Sequence, residues 1–185
     1  MAEQSSLVRL EKEYPIEIDW RGFELHPETP LGGLPLSKVF PPEKLNTFRD
    51  YLQEFATSFG ITDMNFPTHM PNTRRVIAVA EYARDHGRLH AFRHEVMNAY
   101  WRAGKDIEDP EVIKEIAHRI QISPEEALKA MNSETYIERV WAMRKEAEAA
   151  GITGIPTFFI GSRRIYGCQK YEVLAEAVES ALSTL

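Results

Sequence analysis

The sequence predicts an α/β chain in which a helix and strand at one end and a hairpin and helix at the other enclose a long block of helices. Three observations carry this. Apolar residues recur at three- and four-residue spacing through most of the chain after Pro42, Ile16 to Phe23 alternates polar with apolar, and Thr157 to Tyr166 reads as two short strands around a tight turn. The 185 residues are 43% hydrophobic and 27% charged, which suits one folded domain with a large insertion and excludes a disordered or fibrous chain. A net charge of −6 leaves no broad positive field for nucleic acid, although a small basic pocket is still allowed. Met1 to Trp20 holds no apolar run of the ~7–15 residues that a secretion signal needs. No segment approaches the ~20 apolar residues of a membrane span, so a cytoplasmic location is expected.

Each element has its own reason. Glu3 to Tyr14 places Leu7, Val8, Leu10 and Tyr14 near one helical face, and Pro15 ends it. Ile16, Ile18, Trp20 and Gly22 then alternate with Glu17, Asp19, Arg21 and Phe23 as a strand does. His26 to Pro42 holds five prolines with Gly32 and Gly33 and reads as loop. Pro42 to Phe59 repeats Leu45, Phe48, Leu52, Phe55 and Phe59 as a helix, closed by Gly60. Pro71-Asn-Thr73 opens a helix ending at Gly87, and Leu89 to Ala103 carries the next. Asp109 and Pro110 form a helix start, Ser123-Pro-Glu-Glu126 a capping box, and Ser133 begins a last helix to Gly151. After the hairpin, Tyr171 to Leu182 is amphipathic. Phe48, Phe55, Phe92, Trp101 and Trp141 are expected in the core of the helical block.

The single cysteine, Cys168, excludes an internal disulfide, a thiolate zinc site and a Cys-x-x-Cys pair within these residues. Arg163 and Arg164 nearby could lower its pKa, but a small packed residue ahead of the last helix is the reading preferred. His90 and His94 share a helical spacing, but no third ligand is fixed by the pattern, so no metal is expected.

Gly154-Ile-Pro-Thr-Phe158, the turn Gly161-Ser162 and Gly167-Cys-Gln169 resemble the C-terminal half of the DsbA-like thioredoxin-fold family, in its cytoplasmic FrnE-type branch. Trp20-Arg-Gly-Phe-Glu-Leu-His-Pro27, Pro71-Asn-Thr-Arg74 and Tyr100-Trp-Arg-Ala-Gly-Lys-Asp-Ile-Glu-Asp-Pro110 are similar to the same branch. The resemblance implies a thioredoxin-like fold over residues 1–40 and 151–185, with a helical insertion at 41–150. It implies disulfide oxidoreduction or isomerisation, a disulfide-containing protein or small thiol as partner, and a cis bond before Pro156 facing the site. Ile155, Pro156, Thr157, Phe23, Asn72 and Arg74 are then the expected substrate-binding residues, Arg74 by holding a carboxylate such as that of glutathione. The catalytic residues stay unassigned.

The family begins with a strand and a Cys-x-x-Cys at a helix start, where the dipole stabilises the thiolate. Here the first residues already read as that helix, so the first strand and both cysteines are expected at or upstream of Met1, and no dithiol activity is expected. A strand of ~5 buried residues is worth roughly 8–15 kcal/mol, the size of a domain's net stability. Something is therefore expected to fill its place: a partner chain in a homodimer, direct pairing of the two remaining sheet halves, or a rearranged N-terminus. Two rival functions follow. One is a glutathione-dependent isomerase of the 2-hydroxychromene-2-carboxylate type, whose branch has a serine near the helix start, although Ser5 and Ser6 are read as capping residues. The other is a non-enzymatic dimeric binding module or a truncated remnant.

Overall fold

The computed structural model describes residues 4–184, and the chain divides into two compact units, Met1–Arg21 with Glu146–Leu185 and Gly22–Lys145. Among the described residues the helices are α1 (Gln4–Glu13), α2 (Leu36–Val39), α3 (Pro42–Ser58), α4 (Arg74–Asp85), α5 (Leu89–Trp101), α6 (Pro110–Arg119), α7 (Pro124–Ala130), α8 (Glu134–Ala149) and α9 (Tyr171–Leu182). The strands are β1 (Leu34–Pro35), β2 (His69–Met70), β3 (Thr157–Ile160) and β4 (Arg163–Tyr166). The helices lie where the periodicity puts them, and Glu3, the expected first residue of α1, is outside the described residues. The compact units change over at Arg21 and Gly22, and the loop after Gly22 is bonded to residues of the helical unit.

In the first unit Leu7 and Leu10 of α1 pack against Leu174, Ala175 and Val178 of α9. Phe158, Ile160 and Ile165 of the hairpin close this core from one side, with Ile16, Ile18 and Trp20 also packed on it. The Tyr14 hydroxyl donates to Glu179 at 2.5 Å and that of Tyr171 donates to Glu13, tying α1 to α9 at the surface. The two serines fall within the first turn of α1 rather than ahead of it.

The expected strand from Ile16 to Phe23 does not form. Its alternation survives, since Ile16, Ile18 and Trp20 are half-buried while Glu17, Asp19 and Arg21 are exposed. What it lacks is a ladder: among the described residues β3 pairs with β4 and β1 with β2, and neither pair takes this segment. Direct pairing of the two sheet halves is therefore excluded, because a strand is made by a hydrogen-bonded neighbour and not by its own side-chain pattern.

In the second unit α4 to α7 surround a core that includes Val79, Phe92, Ile113 and Ile116. Asp109 and Ser123 accept the backbone N–H groups of Glu111 at 2.9 Å and Glu126 at 3.2 Å, as their positions ahead of helical prolines predict. Two of the aromatic residues expected in the core are not there: Phe48 is 37% exposed and Trp141 48%. Only Ala56 of α3 is buried, and Phe48 instead meets Phe40 and Phe66, with ring centroids 5.8 and 5.9 Å away. A helical stripe shows which residues share a face but not whether another element covers it. The loop read between His26 and Pro42 contains β1 and α2, and β1 pairs with β2 where Gly33, at φ 64°, lets the backbone pass close to His69.

Candidate functional site

The sequence-predicted site residues lie in both units, Ile155, Pro156 and Thr157 in the first and Phe23, Asn72 and Arg74 in the second.

Gly151, at φ 69°, ends α8, and the chain reaches β3 through Ile152 to Pro156 with the Ile155–Pro156 bond cis. Two hydrogen bonds fix this loop. The Thr157 hydroxyl donates to the Gly154 carbonyl at 2.8 Å, and the Gly167 N–H donates to the Pro156 carbonyl at 2.8 Å. Between them Ile155 stands 54% exposed, a large apolar side chain on a tethered backbone. The same hairpin brings Cys168, half-buried, to within one residue of the Gly167 contact, a proximity that separation in sequence concealed. Neither arginine read beside this thiol is uncommitted. Arg164 donates to the Tyr166 hydroxyl at 3.0 Å and stacks on Phe159, and Arg163 pairs with Glu176 at 3.4 Å.

In the second unit the site residues belong to a buried polar network. Glu24 is 1% exposed, and the Arg74 guanidinium meets it at 3.0 Å and also donates to the Pro27 carbonyl. Arg144 donates to the Glu24 carbonyl at 2.8 Å and lies 6.0 Å from the centre of the Phe23 ring. Asn72 uses its amide to donate to the Thr29 carbonyl at 2.6 Å and accepts the Arg74 N–H at 3.0 Å. Glu108 accepts the backbone N–H groups of Asn72 at 2.6 Å and Gly32 at 2.9 Å. The network satisfies backbone groups that burial would otherwise leave costly. Glu24 adjoins Phe23 in the Trp20 to Pro27 segment and reads with it as a cleft residue, whereas nothing in the Tyr100 to Pro110 segment singles out Glu108.

A cavity of about 250 Å³ opens between α5 and α6, with Arg102, Lys105, Glu115 and Arg119 in its lining. None of the predicted site residues lines it. Its cations are already paired, Arg102 with Asp63 at 3.0 Å, Lys105 with Glu115 at 2.5 Å and Arg119 with Glu95 at 3.0 Å. Lys105, as a hydrogen-bond donor, is the chief cause that holds the Glu115 carboxyl below its ordinary pKa.

The sequence profile of the DSBA-like thioredoxin domain matches residues 1–179, and the chain belongs to that family. It is 26% identical over 167 residues to the uncharacterized protein YwbO of Bacillus subtilis (strain 168), covering 88% of this chain and 81% of that one. The solved structure of a 2-hydroxychromene-2-carboxylate isomerase is similar with a TM-score of 0.73 at 22% identity, over 99% of this chain and 87% of the other. That of a candidate protein disulfide isomerase from Nitrosomonas europaea is similar with a TM-score of 0.72 at 13% identity, over 99% and 91%. At these identities the two structures establish the thioredoxin-like fold with its helical insertion. Among the described residues no helix is long and apolar enough to cross a membrane.

Proposed function

We propose that these 185 residues hold a thiol or disulfide compound, in keeping with the disulfide oxidoreductases and isomerases of the family, and do not themselves carry out dithiol exchange. The observation that supports this is Ile155, more than half exposed on a loop fixed on both sides by Thr157 and Gly167. An apolar side chain on a pre-ordered backbone binds at a low entropic cost. Disulfide exchange needs an attacking thiolate and a second thiol to resolve the mixed disulfide, and the chain has Cys168 alone. The ligand class is an extended peptide bearing a disulfide or a small thiol such as glutathione, with the work done in the cytoplasm. Phe23, Asn72 and Arg74 belong to the other unit, where the buried Glu24 holds Arg74.

Two measurements test this. Insulin-disulfide reduction with the chain present is expected to run at the uncatalysed rate, and a catalysed rate overturns the absence of dithiol chemistry. Calorimetric binding of glutathione or a disulfide-bearing peptide is expected to weaken at least about tenfold in Ile155→Asp. It is expected to persist in Cys168→Ser, which separates binding from a mixed disulfide. Equal binding by Ile155→Asp sinks the proposed site.

The fold shared with a 2-hydroxychromene-2-carboxylate isomerase favours a second reading, a glutathione-dependent isomerase. Turnover of that substrate only when glutathione is added, and loss of turnover in Arg74→Ala, would decide for it.

A further inference from the structure

The hollow between α5 and α6 is set by the residues of its walls, and ligand holding by the Ile155 loop does not use it. At the end of α5 the Ala103 N–H donates to the Asn98 carbonyl at 2.9 Å and the Lys105 N–H to that of Ala99 at 2.8 Å, with Gly104 at φ 63° between them. This turn carries Lys105 back beside α5. Opposite, Val112, Glu115, Ile116 and Arg119 stand at positions i, i+3, i+4 and i+7 of α6 and so share one face. Where that face meets α5 it finds Ala99 and Ala103, whose methyl groups leave about 250 Å³ unfilled. Ala99 and Ile116 are buried and give the hollow an apolar floor.

The rim is cationic. Arg102, Lys105 and Arg119 stand on it, and among the described residues Glu115 is the one carboxylate in the lining. Lys105 and Arg119 share that carboxylate, so a single negative charge serves two cations. Glu95, the other partner of Arg119, and Asp63, the partner of Arg102, lie outside the lining. The Asn98 side chain accepts from Arg102 at 3.1 Å and orients its guanidinium. Arg102 and Asp63 are both well exposed, and an ion pair so open to water is held weakly, so a second carboxylate can take its place.

We propose that this hollow binds a small organic monocarboxylate, its carboxylate taken by Arg102 and Lys105 and its apolar body laid on Ala99 and Ile116. Three features select that class. The planar fork of a guanidinium matches the two oxygens of a carboxylate, and the ammonium of Lys105 adds a second donor on the same rim. The volume equals roughly eight waters at ~30 Å³ each, which admits one small ring or branched chain and excludes a peptide. Glu115 stays ionised, since Lys105, with Arg119 assisting, holds its carboxyl below the ordinary pKa. Its charge repels a second negative charge in the hollow, which favours a monoanion over a phosphate dianion.

Titration of the full chain with benzoate, which has this size, is expected to give saturable amide NMR shifts at Ala99, Lys105 and Ile116. Benzamide, of the same shape without the charge, and inorganic phosphate are each expected to bind at least about tenfold more weakly. Arg102→Gln is expected to weaken benzoate at least about tenfold, and Ala103→Leu, which fills the hollow from the exposed end of α5, to abolish saturation. No saturable shift at those amides, equal binding of benzamide or phosphate, or wild-type affinity in either variant overturns the proposal. Should Arg102→Gln alter the helical circular dichroism, Ala103→Leu and the benzamide comparison decide. Every residue of the hollow belongs to the helical unit, so failure here would leave the ligand-holding reading of the Ile155 loop standing, and the reverse holds too.

Discussion

The two units solve the same problem, satisfying buried backbone, by different means. In the helical unit nearly every backbone bond is made within a helix, and Asp109, Ser123 and Asn72 supply acceptors where helix starts leave N–H groups over. In the other unit, among the described residues, the hairpin satisfies one side of β3 without a ladder on the other, while Ile16 to Trp20 packs on the same core without being a strand. A helix is locally complete, whereas a strand depends on a neighbour. Exposed apolar side chains occur in both units, Ile155, Phe159 and Tyr166 in the one built on strands and Leu31, Tyr51 and Trp141 in the helical one, and the proposed ligand loop lies in the former.

The largest expected effect probes whether this contrast extends to stability. Phe92→Ala in the helical core is expected to cost about 3–5 kcal/mol, and Leu174→Ala in the other core about 2–5 kcal/mol, in urea unfolding. Two resolved transitions, each moved by only one of the variants, would sharpen the comparison, and a single transition moved by both would break it. Next comes Glu108→Ala, which strips the acceptors from the Asn72 and Gly32 N–H groups and is expected to cost about 1.5–3 kcal/mol. Its effect should appear as faster amide exchange at those two residues, and no change there would remove the network as the anchor of the loop.

Asp109→Ala is expected to lose about 1 kcal/mol from the cap of α6, and equal stability would mean that water replaces the cap. The smallest effect is electrostatic. Asp85 sits below its ordinary pKa, chiefly because Arg139 donates to it, with Tyr136 assisting against the cost of burial. A depressed carboxyl stabilises the fold above its unfolded pKa, and that stability is lost as the pH falls through the folded value. At this half-open site solvent screening leaves a few tenths of a kcal/mol. Arg139→Ala should flatten the stability profile below about pH 4 and leave its slope at neutral pH unchanged.

Much of the fold was legible in the residues. The three- and four-residue spacing located the long helices, Asp109-Pro110 and Ser123-Pro124 their starts, and Gly161-Ser162 the hairpin turn, because each rests on interactions spanning a few positions of chain. The Gly154 to Phe158 segment pointed to the family for the same reason. Whether Ile16 to Phe23 became a strand, whether the aromatic stripe of α3 was covered, and which carboxylates held Asn72 and Arg74 depended on residues tens of positions away. The sequence by itself determined the helices, the hairpin and the family. Only the tertiary structure decided which buried polar groups met, that Cys168 lies beside the Pro156 loop, and that β3 keeps one edge bare among the described residues. Side-chain periodicity records which face of an element is apolar, but the identity of the neighbour on that face is a property of the folded chain.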